Sequence, residues 1–205
     1  MIKAVFFDFD GVLTIEGHAC DAICRTLSKK FDLPYDKLEP AFHNHAKNLN
    51  LAPERFESFI DDLNEEMGSN MAVKDILEAV TSAQPNAGMI SLAKQLQDKG
   101  LIVGIITDNN VERIEVLRQP FELDKYKPLI VSAKVGSGKW QNTKIFEVAL
   151  EQAKVQPSEA LFIDNTIDNL RFADELGMNT YWHDHDLNDV VAFRNRLHEL
   201  GLQVQ

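Results

Sequence analysis

Cysteine is nearly missing: Cys20 and Cys24 are the two in 205 residues. Four residues apart, they suit one face of a helix and exclude a disulfide framework. Packing is their expected role, in a reducing, cytoplasmic setting. Positive charge is also scarce, with 21 Lys and Arg against 32 Asp and Glu and a net charge of −11. Such a surface repels phosphate backbones, so nucleic acid is excluded as a general partner. A phosphorylated ligand would need positive charge placed locally. No apolar run approaches the ~18 residues of a membrane span. The opening segment carries Asp8 and Asp10 where a signal peptide needs apolar residues. No membrane partner is therefore expected. Repeats and low-complexity tracts are absent as well.

The hydrophobic share, 44%, with 26% charged residues, fits a soluble globular chain. Its length allows one sizeable core, or a core with a small lid. The most informative run is Val5 to Thr14, Val-Phe-Phe-Asp-Phe-Asp-Gly-Val-Leu-Thr. An apolar segment from Ile2 reads as a buried strand that ends in two carboxylates, Asp8 and Asp10. Burying carboxylates requires hydrogen bonds, a cation or a metal to offset the lost water. Residues i and i+2 of a strand point to one side, and Gly11 permits a sharp turn just after them. Two further apolar runs end in the same way. Leu101 to Thr107 is followed by Asp108, Asn109 and Asn110, and Ala160 to Asp164 by Asn165, Thr166 and, four residues on, Asp168. Between them lies Val135-Gly-Ser-Gly-Lys139. That string is not a nucleotide P-loop, because Ala133 and Trp140 stand where Gly and Ser or Thr are needed.

Residues 15 to 82 contain no convincing strand and read as helices over Ala19–Phe31, Tyr35–Asn48, Pro53–Met67 and Met71–Val80. From Ala87 onward, helices and strands alternate. Helices are expected over 86–99, 111–117, 142–154, 167–176 and 187–200. Strands are expected over 101–107, 129–131, 160–164 and 178–182. Gly100, Gly177 and Gly201 follow three of the helices as terminators. Alternation of this kind implies an α/β fold, a doubly wound parallel Rossmann-like sheet covered on both faces. The helical block, inserted after the first strand, is expected as a small α-helical cap domain (15–82) on a core formed by 1–14 and 83–205. Ligands of such sheets bind at the carboxyl ends of the strands.

Acid pair, Thr, Lys, acid: in this order the motifs resemble the haloacid dehalogenase superfamily, and the inserted block resembles its helical-cap phosphatases. The resemblance implies a Mg²⁺-dependent phosphatase acting on a small phosphorylated metabolite, such as a sugar phosphate, through an aspartyl-phosphate. It makes Asp8 the nucleophile and Asp10 the general acid and base. It makes Thr107 and the backbone N–H of Asp108 phosphate-binding groups, and Lys139 the neutralising cation, with Lys134 and Lys144 as competitors. Mg²⁺ would be held by Asp8, Asp164 and the backbone carbonyl of Asp10. Asp168 would act through water or the outer shell, unless it only favours a helix N-terminus. Haloacid dehalogenases proper lack the second acid, so Asp10 points to phosphoryl chemistry. A phosphoglucomutase-like phosphotransferase or a non-catalytic phospho-binding module remains open as an alternative. A receiver domain does not fit, because receivers have no helical insertion after the first strand. His18, His43 and His45 belong to the helical block and either face the site or serve in packing. A polar turn is the expected role of His183 to Asp186.

Overall fold

The structure is a computed structural model that describes residues 1–205. It opens on β1 (Ala4–Phe7), whose four residues are all buried. Four helices of the inserted block follow: α1 (Ala19–Phe31), α2 (Tyr35–Ala46), α3 (Ile60–Met67) and α4 (Val73–Val80). The remaining elements are α5 (Ala87–Asp98), β2 (Ile102–Thr107), α6 (Val111–Leu117), β3 (Leu129–Val131), α7 (Ser132–Val135), α8 (Lys144–Ala153), β4 (Ala160–Asp164), α9 (Ile167–Glu175), β5 (Asn179–Trp182) and α10 (Val190–Glu199). The five strands pair in parallel in the order β3-β2-β1-β4-β5. The expected α/β sheet is therefore present. No helix is long and apolar enough to cross a membrane.

Side chains alternate across the sheet and build two cores. Val5, Phe7, Val103, Ile105, Leu161 and Ile163 point to one face, where α5, α6 and α10 supply Leu92, Ile114 and Phe193. Phe6, Ile106, Ile130 and Phe162 point to the other, against Phe146 and Leu150 of α8 and Leu170 of α9. The inserted helices do not form a third core. Leu27, Leu38, Phe42, Phe56, Leu63 and Ile76 are continuous with the first. The two crossings between sheet and insertion lie side by side. Ile15 N–H donates to Gln84 O at 2.9 Å, and Asn86 N–H to Leu13 O at 2.9 Å.

Caps set the ends of several elements. Asn86, Asn110 and Asp189 each accept a backbone N–H at a helix start, on α5, α6 and α10. Gly100, Gly177 and Gly201 take positive φ after α5, α9 and α10, where other residues are strained. Two elements differ from the sequence expectation. The helix expected from Pro53 is one 3₁₀ turn, Phe56–Ser58, followed by α3 from Ile60. Its first N–H is diverted, since Phe56 N–H donates to Glu112 Oε2 of α6 at 2.9 Å and its ring is buried. The short helix α7 was not expected, and Gly136 at φ +68° ends it after one turn.

Gly104 in the middle of β2 permits close packing at the sheet. A Cβ there would lie 2.6 Å from Pro128 O and 2.9 Å from the Phe6 ring. Gly104→Val is expected to destabilise the protein by about 1–3 kcal/mol through overpacking. Urea unfolding checks this, and an unchanged midpoint contradicts it.

Candidate active site

The register of the two central strands places the acids. Phe7 pairs with Ile163, and Asp8 N–H continues the ladder by donating to Ile163 O at 2.8 Å. Asp8 and Asp164 therefore leave neighbouring parallel strands at the same end. Between them sits the Lys139 ammonium, 2.8 Å from Asp8 Oδ2 and 2.5 Å from Asp164 Oδ2. Lys139 is 1% exposed and Asp164 is fully buried. The other oxygens of the acids are held by the chain. Asp8 Oδ1 accepts the Phe9 N–H at 2.7 Å. Asp164 Oδ1 accepts the Thr166 N–H at 2.7 Å and Asn169 Nδ2 at 3.2 Å.

Lys139 is delivered by a tight loop. Gly138 N–H donates to Gln141 Oε1, Ser137 Oγ to Asn142 Oδ1, and Lys139 N–H to Asp108 Oδ1. The competing lysines, Lys134 and Lys144, are exposed outside the site. Gly11, at φ +73°, turns the chain away from Asp10, and a Cβ there would overlap the Asn165 amide.

Asp10 has a different partner, which the sequence reading missed. Arg113 of α6 grips it with both terminal nitrogens, Nη2 to Oδ1 at 2.7 Å and Nη1 to Oδ2 at 2.9 Å, and Asn109 Nδ2 reaches Oδ2 at 2.9 Å. A sequence signal for Arg113 existed. It lies in the first turn of a helix that starts at a strand end, where the helix dipole disfavours a cation unless an anion is near. Thr107 is buried, and its Oγ1 accepts from Asn109 Nδ2 at 3.4 Å, but it does not line the cavity described below. Asp108 does line it. Asp168 is exposed on α9 and is not brought into the site. The next residue, Asn169, turns to Asp164 instead.

These groups open into a cavity of about 520 Å³ between the strand ends and the inserted helices. Asp8, Asp10, Asp108, Arg113 and Lys139 line its sheet side, and His18, Cys20, Glu39, His43 and Phe56 its helical side. His45 points elsewhere, stacking on Phe59 and pairing with Glu66. His183 is buried against Asn188, while Asp184 Oδ1 accepts the Asp186 and Leu187 N–H groups, so that stretch is a polar turn.

The electrostatics are unbalanced. Arg113 compensates Asp10, but Lys139 alone faces Asp8, Asp164 and Asp108. Burial, and then the charge of Asp164, push the Asp8 carboxyl well above the usual carboxylate range, against the pull of Lys139. For Lys139, burial works against the charged form, but Asp164, Asp8 and Asp108 outweigh it and raise its pKa. Burial raises Asp108 to about 6 despite Lys139. The donor set is hard oxygen with excess negative charge, which suits a small divalent cation such as Mg²⁺. Carboxylate oxygens of Asp8 and Asp164 would hold it.

Asp108 gives a pH-dependent prediction. Between the ordinary carboxylate value of 3.8 and about 6, folded Asp108 holds a proton that the unfolded chain has released. Its contribution to stability therefore falls as pH rises through that window. Asp108→Asn keeps an Oδ1 acceptor for the Lys139 N–H. It is expected to stabilise the metal-free protein by about 2 kcal/mol above pH ~7, with no gain below pH ~4. Denaturant midpoints across pH check this, and a gain that persists in acid contradicts it.

The parallel sheet with flanking helices agrees with what the chain is similar to. It is 26% identical over 201 residues to bifunctional epoxide hydrolase 2 of Rattus norvegicus, covering 87% of this chain but 36% of that protein. It is 24% identical over 196 residues to glyceraldehyde 3-phosphate phosphatase of Pyrococcus furiosus, covering 88% of this chain and 80% of that one. A HAD family enzyme of Bacteroides thetaiotaomicron, solved with magnesium and inorganic phosphate, superposes with a TM-score of 0.70. It is 23% identical, and the match covers 95% of this chain and all of that one. Residues 2–177 match the family described as haloacid dehalogenase-like hydrolase, and the chain belongs to that family.

Proposed function

We propose that the protein is a Mg²⁺-dependent phosphatase of a small phosphorylated metabolite. The observation that carries this reading is Lys139 bridging Asp8 and Asp164 at the floor of the cavity, with Asp10 beside them. The phosphatase relative and the magnesium and phosphate bound by the structural neighbour support it.

Asp8 acts as the nucleophile. A carboxylate oxygen forms a bond to phosphorus as the bond to the leaving oxygen breaks, leaving an aspartyl-phosphate. Asp10 gives a proton to the leaving oxygen. It later takes one from the water that attacks phosphorus, which frees phosphate and restores Asp8. Arg113 and Asn109 fix the plane of the Asp10 carboxyl, and its Oδ1, with one hydrogen bond, keeps a lone pair for the proton. Lys139 neutralises Asp8 and the transferring group. Mg²⁺ on Asp8, Asp164 and the Asp10 carbonyl would supply the positive charge that Lys139 alone does not, and would polarise a phosphoryl oxygen. Asn169, which touches both Asp164 oxygens, takes the outer position that the sequence spacing gave to Asp168.

Residues 15–82 serve as a lid over this centre, linked to the sheet by the paired segments around Thr14 and Pro85. The cavity volume suits a metabolite rather than a macromolecule. Two free buried thiols are in keeping with a reducing compartment such as the cytoplasm.

Hydrolysis of p-nitrophenyl phosphate, followed by a panel of sugar phosphates, tests the reading. Activity is expected to need Mg²⁺ and to fall by at least about a thousandfold in Asp8→Asn, as when a catalytic nucleophile is lost. No activity above the Asp8→Asn background on any of these substrates, in folded protein, contradicts it.

A further inference from the structure

The helical side of the cavity holds a second group of ligand-type side chains that the phosphatase chemistry does not use. Cys20 lies in the first turn of α1, and Glu39 and His43 lie one turn apart on α2. Residues i and i+4 share a helix face, so α2 presents its carboxylate and imidazole together toward α1. Cys20 Sγ donates to Glu39 Oε1 at 3.2 Å. The Sγ, one carboxylate oxygen and one His43 ring nitrogen all lie within 4.8 Å of one another. All three residues line the cavity.

We propose that Cys20, Glu39 and His43 form a second metal site, for a soft divalent cation such as Zn²⁺. Zinc with sulfur at ~2.3 Å and nitrogen or oxygen at ~2.0 Å in a tetrahedron sets its ligand atoms about 3.5 Å apart. The Cys20–Glu39 separation is already in that range. His43 is exposed, and its ring turns in to complete the set. Three protein ligands with the fourth position facing the cavity is an open arrangement, not a closed structural one. On binding, the Sγ–H bond breaks, sulfur bonds to the metal, and the proton leaves to solvent.

Ligand softness separates this site from the carboxylate centre. Mg²⁺ takes hard oxygens and prefers Asp8 and Asp164, whereas thiolate and imidazole favour Zn²⁺. Both groups of side chains open on one cavity. A cation on Cys20 and His43 ties α1 to α2 and narrows the space left for a substrate. Only this last consequence rests on the proposed function.

The test is Zn²⁺ binding by calorimetry in excess Mg²⁺, with Co²⁺ as the spectroscopic probe. No substrate is used, so an inactive enzyme does not affect the result. Wild type is expected to bind one Zn²⁺ that Mg²⁺ does not displace, and to show a sulfur-to-cobalt charge-transfer band. Cys20→Ser should abolish the band, and Cys24→Ser should keep it. His43→Ala, at an exposed position that leaves the fold intact, should weaken Zn²⁺ binding at least about tenfold. A band that survives Cys20→Ser overturns the site. So does Zn²⁺ affinity unchanged in His43→Ala, or Zn²⁺ that Mg²⁺ displaces completely.

Discussion

One buried ammonium between two buried carboxylates organises this molecule. Lys139 meets Asp8 and Asp164 where β1 and β4 end, in a place almost closed to water. The sheet brings the two acids together because parallel strands end on the same side and the β1–β4 register sets Asp8 level with Asp164. Removing Lys139 from such a cluster leaves buried carboxylates with no counter-charge, which is strongly destabilising. The loop of Gly136, Ser137 and Gly138, the Asp108 side chain that accepts the Lys139 N–H, and the turn at Gly11 all serve this contact.

The same cluster explains why the site suits chemistry better than stability. Asp10 has its own counter-charge in Arg113, but Asp8, Asp164 and Asp108 share Lys139. A structural cluster would be neutral. Burial first, and then the charge of Asp164, raise the Asp8 pKa, and the excess negative charge facing a cavity invites a divalent cation. Enzyme sites retain such imbalance because a pre-placed charge needs no reorganisation when charge develops in the reaction.

Much of this was legible in the sequence, for identifiable reasons. The bounds of Ala160–Asp164 follow from a short apolar run between polar residues, and Gly100, Gly177 and Gly201 mark helix ends because each adopts positive φ. Lys139 was separable from Lys134 and Lys144 only by its order among the motifs. Arg113 and Asn109 escaped notice because their partner, Asp10, is about a hundred residues away in sequence. Spacing pointed to Asp168, but α9 begins at Ile167, and the ~100° step per residue turns Asn169 toward Asp164 and leaves Asp168 outside. The Phe56 turn depends on Glu112, another contact that local patterning does not encode.

The central claim is that the carboxylates at the strand ends carry uncompensated charge that a hard cation relieves. Thermal unfolding during a Mg²⁺ titration tests it most directly, in wild type and in Asp164→Asn, which keeps the Oδ1 acceptor for Thr166 and Asn169 and loses the Oδ2 acceptor that faces Lys139. The account predicts saturable stabilisation of wild type, about 2.7 kcal/mol at a hundred times Kd. It predicts little or none in Asp164→Asn. No Mg²⁺ effect on wild type, or an equal effect on both proteins, would contradict it.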